Sequence, residues 1–100
     1  MARVSIDRDG LARFCRANHI RKLSLFGSVL RDDFGPDSDV DVLVEFEPGA
    51  HIGLFDIARM EIELAPMFGG RKVDVRTAED LSRFFRERVV SNAELQYAAG

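Results

Sequence analysis

Asp39-Val40-Asp41-Val42-Leu43-Val44 alternates acid and apolar residues at the head of an apolar run, and that alternation dictates a strand. In an extended chain, residues i and i+2 point to the same face. Val40, Val42 and Val44 therefore form a surface that a core must cover, while Asp39 and Asp41 stand together on the opposite face. Two carboxylates about 7 Å apart along one strand repel each other unless something positive lies between them. The apolar run continues to Phe46 and closes at Glu47-Pro48-Gly49.

Two further stretches carry the period of a strand. Ile20 to Phe26 alternates from Leu23 onward and ends at Gly27, and Arg71 to Arg76 alternates around Val73 and Val75. Between them lie segments with helical spacing. Leu11, Phe14 and Cys15 recur at i, i+3, i+4 behind the cap-type residues of Ser5 to Arg8, which predicts a helix from about Arg8 to Asn18. Leu54, Ile57, Ala58, Ile62 and Ala65 line one face of a second helix, stopped by Pro66 and Gly69-Gly70. Ser28 to Arg31 suits a short helical turn, and Phe34 to Ser38 has loop chemistry. Thr77 stands three residues before Asp80, a capping-box spacing that predicts a last helix running to about Tyr97. The order αβ(α)βαβα describes a small α/β (α+β) domain, a three-stranded sheet with helices packed on it.

Composition bounds what such a domain does. A chain of 100 residues makes one domain, residues 1–100, with one modest core. A formal charge of -3 gives no global attraction to nucleic acid or to an anionic membrane, so phosphate recognition has to be local. No apolar run approaches the roughly 18–20 residues of a membrane span, and Met1 to Val4 leads into no signal-peptide core. Cys15 is the lone cysteine, which excludes an intrachain disulfide and fits a reducing cytoplasm.

The carboxylates are the chemical signal. Hard oxygen ligands without His or Cys beside them suit Mg²⁺ or Mn²⁺ and argue against zinc. Asp74 repeats the theme between Val73 and Val75. If its strand lies beside that of Asp39 and Asp41, three carboxylates converge on one patch, enough to hold one or two Mg²⁺ ions against a triphosphate. Gly27-Ser28 supplies the complement. A glycine at a strand end lets backbone approach a ligand, the following turn offers N–H groups to an anion, and the Ser28 hydroxyl adds a donor. Arg31 lies within reach of the same phosphates, or faces solvent. This is equipment for phosphoryl or nucleotidyl transfer, where positioning and charge neutralisation carry the catalysis.

Gly27-Ser28, ten intervening residues, then Asp39-Val40-Asp41, and a later single Asp74 in a strand, together resemble the DNA polymerase β nucleotidyltransferase superfamily. The short "FGSVLRDDFGPDSDVDVLVEF" and "GGRKVDVRT" are similar to its minimal nucleotidyltransferases, the MntA-type antitoxins, from Asp7 to about Tyr97. The resemblance implies a mixed sheet of nucleotidyltransferase fold with Mg²⁺ and ATP at its edge. It makes Asp39, Asp41 and Asp74 metal ligands and catalytic carboxylates, and Gly27 and Ser28 phosphate contacts. It further implies transfer of AMP from ATP onto a tyrosine of a partner HEPN ribonuclease toxin, as the antitoxin of a type VII-like toxin–antitoxin pair. Larger relatives carry a second domain for the acceptor. Here the partner is expected to complete that site as a hetero-oligomer, without direct binding of nucleic acid.

Each residue also has a plainer reading. Asp39 and Asp41 could be a solvated strand start, and Asp74 could pair with Arg76 or Arg71. Ser28 could be an N-cap, and Arg71 and Lys72 ordinary exposed bases or a steering pair for the triphosphate. Cys15 reads as a core thiol, and His19 and His51 as surface residues. Phe84, Phe85, Val89, Val90 and Tyr97 read as a packing or partner-binding face. Three functions are compatible with these residues: a protein adenylyltransferase acting as antitoxin, a module that neutralises its partner by binding alone, and a nucleotidyltransferase with a small-molecule or RNA acceptor.

Overall fold

A computed structural model describes residues 6–30, 35 and 37–99; the side chain of Ser28 falls outside that description, as does Arg31 entirely. Helix α1 runs Arg8–Ala17, and Asp7 caps it by accepting a hydrogen bond from the Gly10 N–H at 3.1 Å. Strand β1 follows as Ile20–Phe26 and ends in a 3-10 turn, Gly27–Leu30. Strand β2 is Val40–Phe46 and helix α2 is Leu54–Leu64. At the start of α2 the Asp56 carboxylate accepts from the Gly53 N–H at 2.8 Å. That bond, with Arg59 beside it, holds the Asp56 carboxyl below its usual range. A 3-10 turn containing Pro66 extends α2 to Phe68, and Gly69 ends it in the left-handed conformation at φ +74°. Strand β3 is Val73–Arg76, helix α3 is Arg83–Asn92, and strand β4 is Glu94–Ala98.

The four strands form one mixed sheet in the order β3-β2-β1-β4. β1 is antiparallel to both β2 and β4, and β2 is parallel to β3. The parallel pair needs a crossover, and α2 supplies it. β3 is an edge strand, whose Val75 N–H is met by the Glu61 carboxylate of α2 at 2.8 Å. A helix side chain thus blunts an edge that would otherwise offer a free donor.

Helices α1 and α2 cover one face of the sheet. Leu11, Phe14 and Cys15 of α1 and Met60 and Leu64 of α2 pack with Leu23, Leu25, Val40, Val42, Val44, Val73 and Val75 into one buried cluster. Asn18, the buried polar residue of this layer, donates to the Phe14 carbonyl at 2.9 Å and accepts from Arg59 of α2 at 3.3 Å. Its hydrogen bonds are satisfied, which burial of an amide requires. The opposite face is open. Ser24, Leu43 and Leu95 there border a groove of about 720 Å³, closed on one side by Thr77, Val90 and Ala93.

The predicted boundaries of α1, β1, β2 and α2 hold to within a residue or two, and the turn after Phe26 forms as expected, but the predicted apolar face of α2 does not. Leu54 and Ile62 are exposed, and Met60 and Leu64 are the residues that reach the core, because the sheet lies against that side of the helix. The last predicted helix does not run from Thr77 to Tyr97. Thr77 and Asp80 do form the box, through the Thr77 N–H and Oγ1 at 3.0 and 3.1 Å, but it closes only a three-residue turn, Ala78–Asp80. Helix α3 starts after Ser82, and Ala93 is extended at ψ 139°. Leu95 and Tyr97 then alternate in a fourth strand beside β1, so the sheet has four strands rather than three. The physical reason is nonlocal: β1 has a free edge, and Glu94–Ala98 satisfies it. None of the described α3 residues is buried, so packing gives the helix little reason to extend.

Leu23 is fully buried at the middle of β1, whereas Phe84 of α3 is 92% exposed. Leu23→Ala is expected to cost about 2–5 kcal/mol in urea unfolding, and Phe84→Ala to stay within about 0.5 kcal/mol. Burial pushes the Cys15 thiol up from 9.0 to about 12. Below pH 9 the folded and unfolded chains both hold that proton, so its contribution to stability is complete. Between pH 9 and about 12 only the folded chain holds it, and stability falls. Unfolding of wild type and Cys15→Ala at pH 8 and pH 10.5 should show the wild type losing more stability on going to the higher pH.

Candidate active site

The site is built at one end of the open face, where β1, β2 and β3 bring their chemistry together. Val40, Val42, Val73 and Val75 are buried on the helix side, so the alternating residues Asp41 and Asp74 are carried to the other side. The β2–β3 register sets Asp41 directly against Asp74. On its other edge Asp41 lies opposite Phe26, the last residue before Gly27. Asp39 comes two residues ahead of Asp41, just outside the strand. Its carboxylate, itself partly exposed, stands 4.0 Å from the Nζ of the largely exposed Lys72. Such a pair contributes little to stability.

Gly27 explains its own identity. Its backbone is at φ +76°, in the left-handed region, and a Cβ placed on it would collide with the Asp41 carboxylate, approaching Cγ to 3.3 Å. Glycine is required here on both counts. The turn that follows is anchored by Val29, which is fully buried. The Ser28 backbone lies in that turn.

The fold thus brings together Gly27, Asp41 and Asp74, with Asp39 adjoining. Among the described residues, no group of three or more His, Cys, Asp or Glu side chains is gathered closely enough to hold a metal ion as it stands. The donor chemistry itself is all-oxygen, the type that suits a hard divalent cation such as Mg²⁺. Sequence reasoning assigned no role to Glu61, which steadies the strand of Asp74 through the Val75 N–H. A glutamate on a helical face carries no sign of which strand edge it will meet.

The model of the nucleotidyltransferase domain matches residues 8–95. The chain belongs to the nucleotidyltransferase domain family. A Methanocaldococcus jannaschii protein, provisionally named as a protein adenylyltransferase, is 34% identical over 74 residues, covering 74% of this chain and 76% of the relative. A solved structure described provisionally as a minimal nucleotidyltransferase is 34% identical, with a TM-score of 0.68 over 86% of this chain and 85% of its own. A toxin–antitoxin structure with AMP-PNP has the same fold at TM-score 0.72 and 18% identity, covering 94% and 75% of the two chains. An MntA–HepT toxin–antitoxin structure does so at 0.64 and 17% identity, covering 92% and 70%.

In this nucleotidyltransferase domain, Gly27→Ala has two consequences. The left-handed backbone penalises a Cβ by about 1–2 kcal/mol, which a chemical denaturation curve will register. The displaced Asp41 carboxylate should also lower nucleotidyl transfer by about 100-fold.

Proposed function

We propose that this chain transfers AMP from ATP to a hydroxyl group of a partner protein, and that it is the antitoxin of a toxin–antitoxin pair. The observation that carries the reading is the register match of Asp41 with Asp74, with Gly27 packed against Asp41 at the end of β1. The family supports nucleotidyl transfer, and the similarity to a protein named as a protein adenylyltransferase supports AMP and a protein acceptor. The toxin–antitoxin structures of like fold support the biological setting, and the AMP-PNP in one of them supports ATP. The acceptor proposed is a tyrosine of a HEPN ribonuclease toxin. No helix among the described residues is long and apolar enough to cross a membrane, and the proposed place of action is the cytoplasm.

Each group has a task. Asp39 and Asp41 would hold a Mg²⁺ ion, with Asp74 as a third ligand. When bound, Mg²⁺ or Mn²⁺ supplies positive charge against the phosphates, which lowers the cost of building charge on them. Asp74, set beside Asp41 on the edge strand, accepts the proton of the acceptor hydroxyl. That oxygen bonds to the α-phosphorus as the bond to the pyrophosphate oxygen breaks, so the products are the AMP ester, pyrophosphate and one proton. Gly27 and Ser28 offer backbone N–H groups to the departing phosphates, with the Ser28 hydroxyl as an added donor. Arg31 is a further proposed phosphate contact. Exposed Phe84, Phe85 and Val90 on α3 give a partner an apolar surface beside the open face.

The test uses ATP labelled at the α-phosphate, with a co-expressed candidate toxin, for wild type and the Asp39→Ala/Asp41→Ala variant. Label should appear on the partner and fall by about 100-fold or more in the variant. No label, with the variant still silencing the partner, would instead establish neutralisation by binding alone. Label on RNA or on a small molecule would move the acceptor to another class.

A further inference from the structure

Asp39 is the carboxylate that no strand positions, and yet its backbone is held on both sides. Behind it, the Val40 N–H donates to the Lys72 carbonyl at 2.9 Å, which starts the β2–β3 ladder. Ahead of it, Gly35 and Ser38 meet across a turn at Asp37. The Ser38 N–H donates to the Gly35 carbonyl at 3.1 Å, and the Ser38 hydroxyl accepts from the Gly35 N–H at 3.0 Å. Arg71 reaches this turn from the segment leading into β3. Its Nη1 donates to the Gly35 carbonyl at 2.6 Å and lies 3.5 Å from the Ser38 carbonyl. The Ser38 carbonyl belongs to the peptide unit that joins Ser38 to Asp39. Two consecutive residues, Arg71 and Lys72, therefore bracket Asp39, one through a side chain and the other through its backbone.

We infer that Arg71 is a positioning residue for the transfer reaction, a clamp that holds the Gly35–Ser38 turn and through it the backbone of Asp39. This inference rests on the reading of Asp39 as a working carboxylate. The guanidinium suits the task because its charge strengthens a hydrogen bond to a carbonyl and its planar group keeps several donors in a fixed arrangement. Arg71 is only partly exposed, with Nη1 directed into the turn. A base meant chiefly to steer a triphosphate would not need to sit against two carbonyl groups of the protein. Residues that hold a ligating carboxylate in place typically change metal affinity or activity by about 10–100-fold when removed.

Two measurements on the full chain test this. The first needs no activity: hydrogen exchange of the Ser38 amide in wild type, Arg71→Ala and Arg71→Lys. The clamp requires exchange at Ser38 to quicken by about tenfold or more in Arg71→Ala, while Leu23 and Leu25 amides in β1 keep their protection. Unchanged exchange at Ser38 overturns the clamp, and general loss of protection shows that Arg71 holds the whole fold instead. The second is steady-state AMP transfer to the partner. Arg71→Ala should lower kcat by about 10–100-fold with the KM for ATP changed less than about threefold. In Arg71→Lys, protection and turnover should change together, to whatever extent the ammonium replaces the guanidinium. A raised KM for ATP with kcat kept, or turnover restored by Lys while Ser38 still exchanges fast, would make Arg71 a phosphate contact and overturn the proposal. A wild-type chain that transfers no AMP sinks the proposed reaction, and the exchange measurement then judges the clamp alone.

Discussion

Val40 donates its backbone N–H to the Lys72 carbonyl across 2.9 Å, and the geometry of the site follows from that bond. It starts the parallel ladder that sets Val40 on Val73, Asp41 on Asp74 and Val42 on Val75. A slip of one residue would turn every side chain of β3 to the wrong face. The valines would lose their core, and Asp74 would be buried among apolar residues. The hydrophobic pattern therefore locks the register, and the register places the carboxylates. The placement of these carboxylates depends on the core through the alternation of the strands.

The two faces of the sheet have divided tasks. The helix face collects Leu11, Phe14, Met60, Leu64 and Phe68 against the valines, and holds the domain together. The open face carries Asp41, Asp74, Ser24 and Leu43, and Ser24 and Leu43 also line a groove with Leu95 and Ala93. A small domain has little apolar area with which to cover both faces, and one is left open. Gly27 belongs to both worlds. Its turn is anchored by Val29 in the core, while its missing Cβ makes room for the Asp41 carboxylate on the surface.

Much of this was readable in the residues. Leu23, Leu25, Val40, Val42, Val44, Val73 and Val75 show a period of two that admits one burial pattern, and the core uses each of them. Cys15 is buried beside Leu11 as its helical spacing requires. Asp41 and Asp74 meet because both alternate with valines, which leaves them a single face. Other features, besides the contact of Glu61 with β3, were not readable. Glu94–Ala98 becomes a strand only because the edge of β1 needs a partner, and nothing local tells the chain to leave its helix at Ala93. The bracket around Asp39 is likewise invisible, because Arg71 and Gly35 are far apart in sequence and nothing about an arginine before a strand names the carbonyls it will meet.

The sequence by itself determined which residues of β1, β2 and β3 are buried, which face Asp41 and Asp74 occupy, and where the chain turns at Gly27. Those properties come from periodicity and from the steric freedom of one residue type, and both are local. The tertiary structure decided the neighbours: that β2 and β3 run side by side in the register that joins Asp41 to Asp74, that β4 completes the sheet, and that Arg71 reaches back to the turn before Asp39. Pairing and reach depend on which backbone groups still lack partners once the core has closed, and that is settled only in the folded chain.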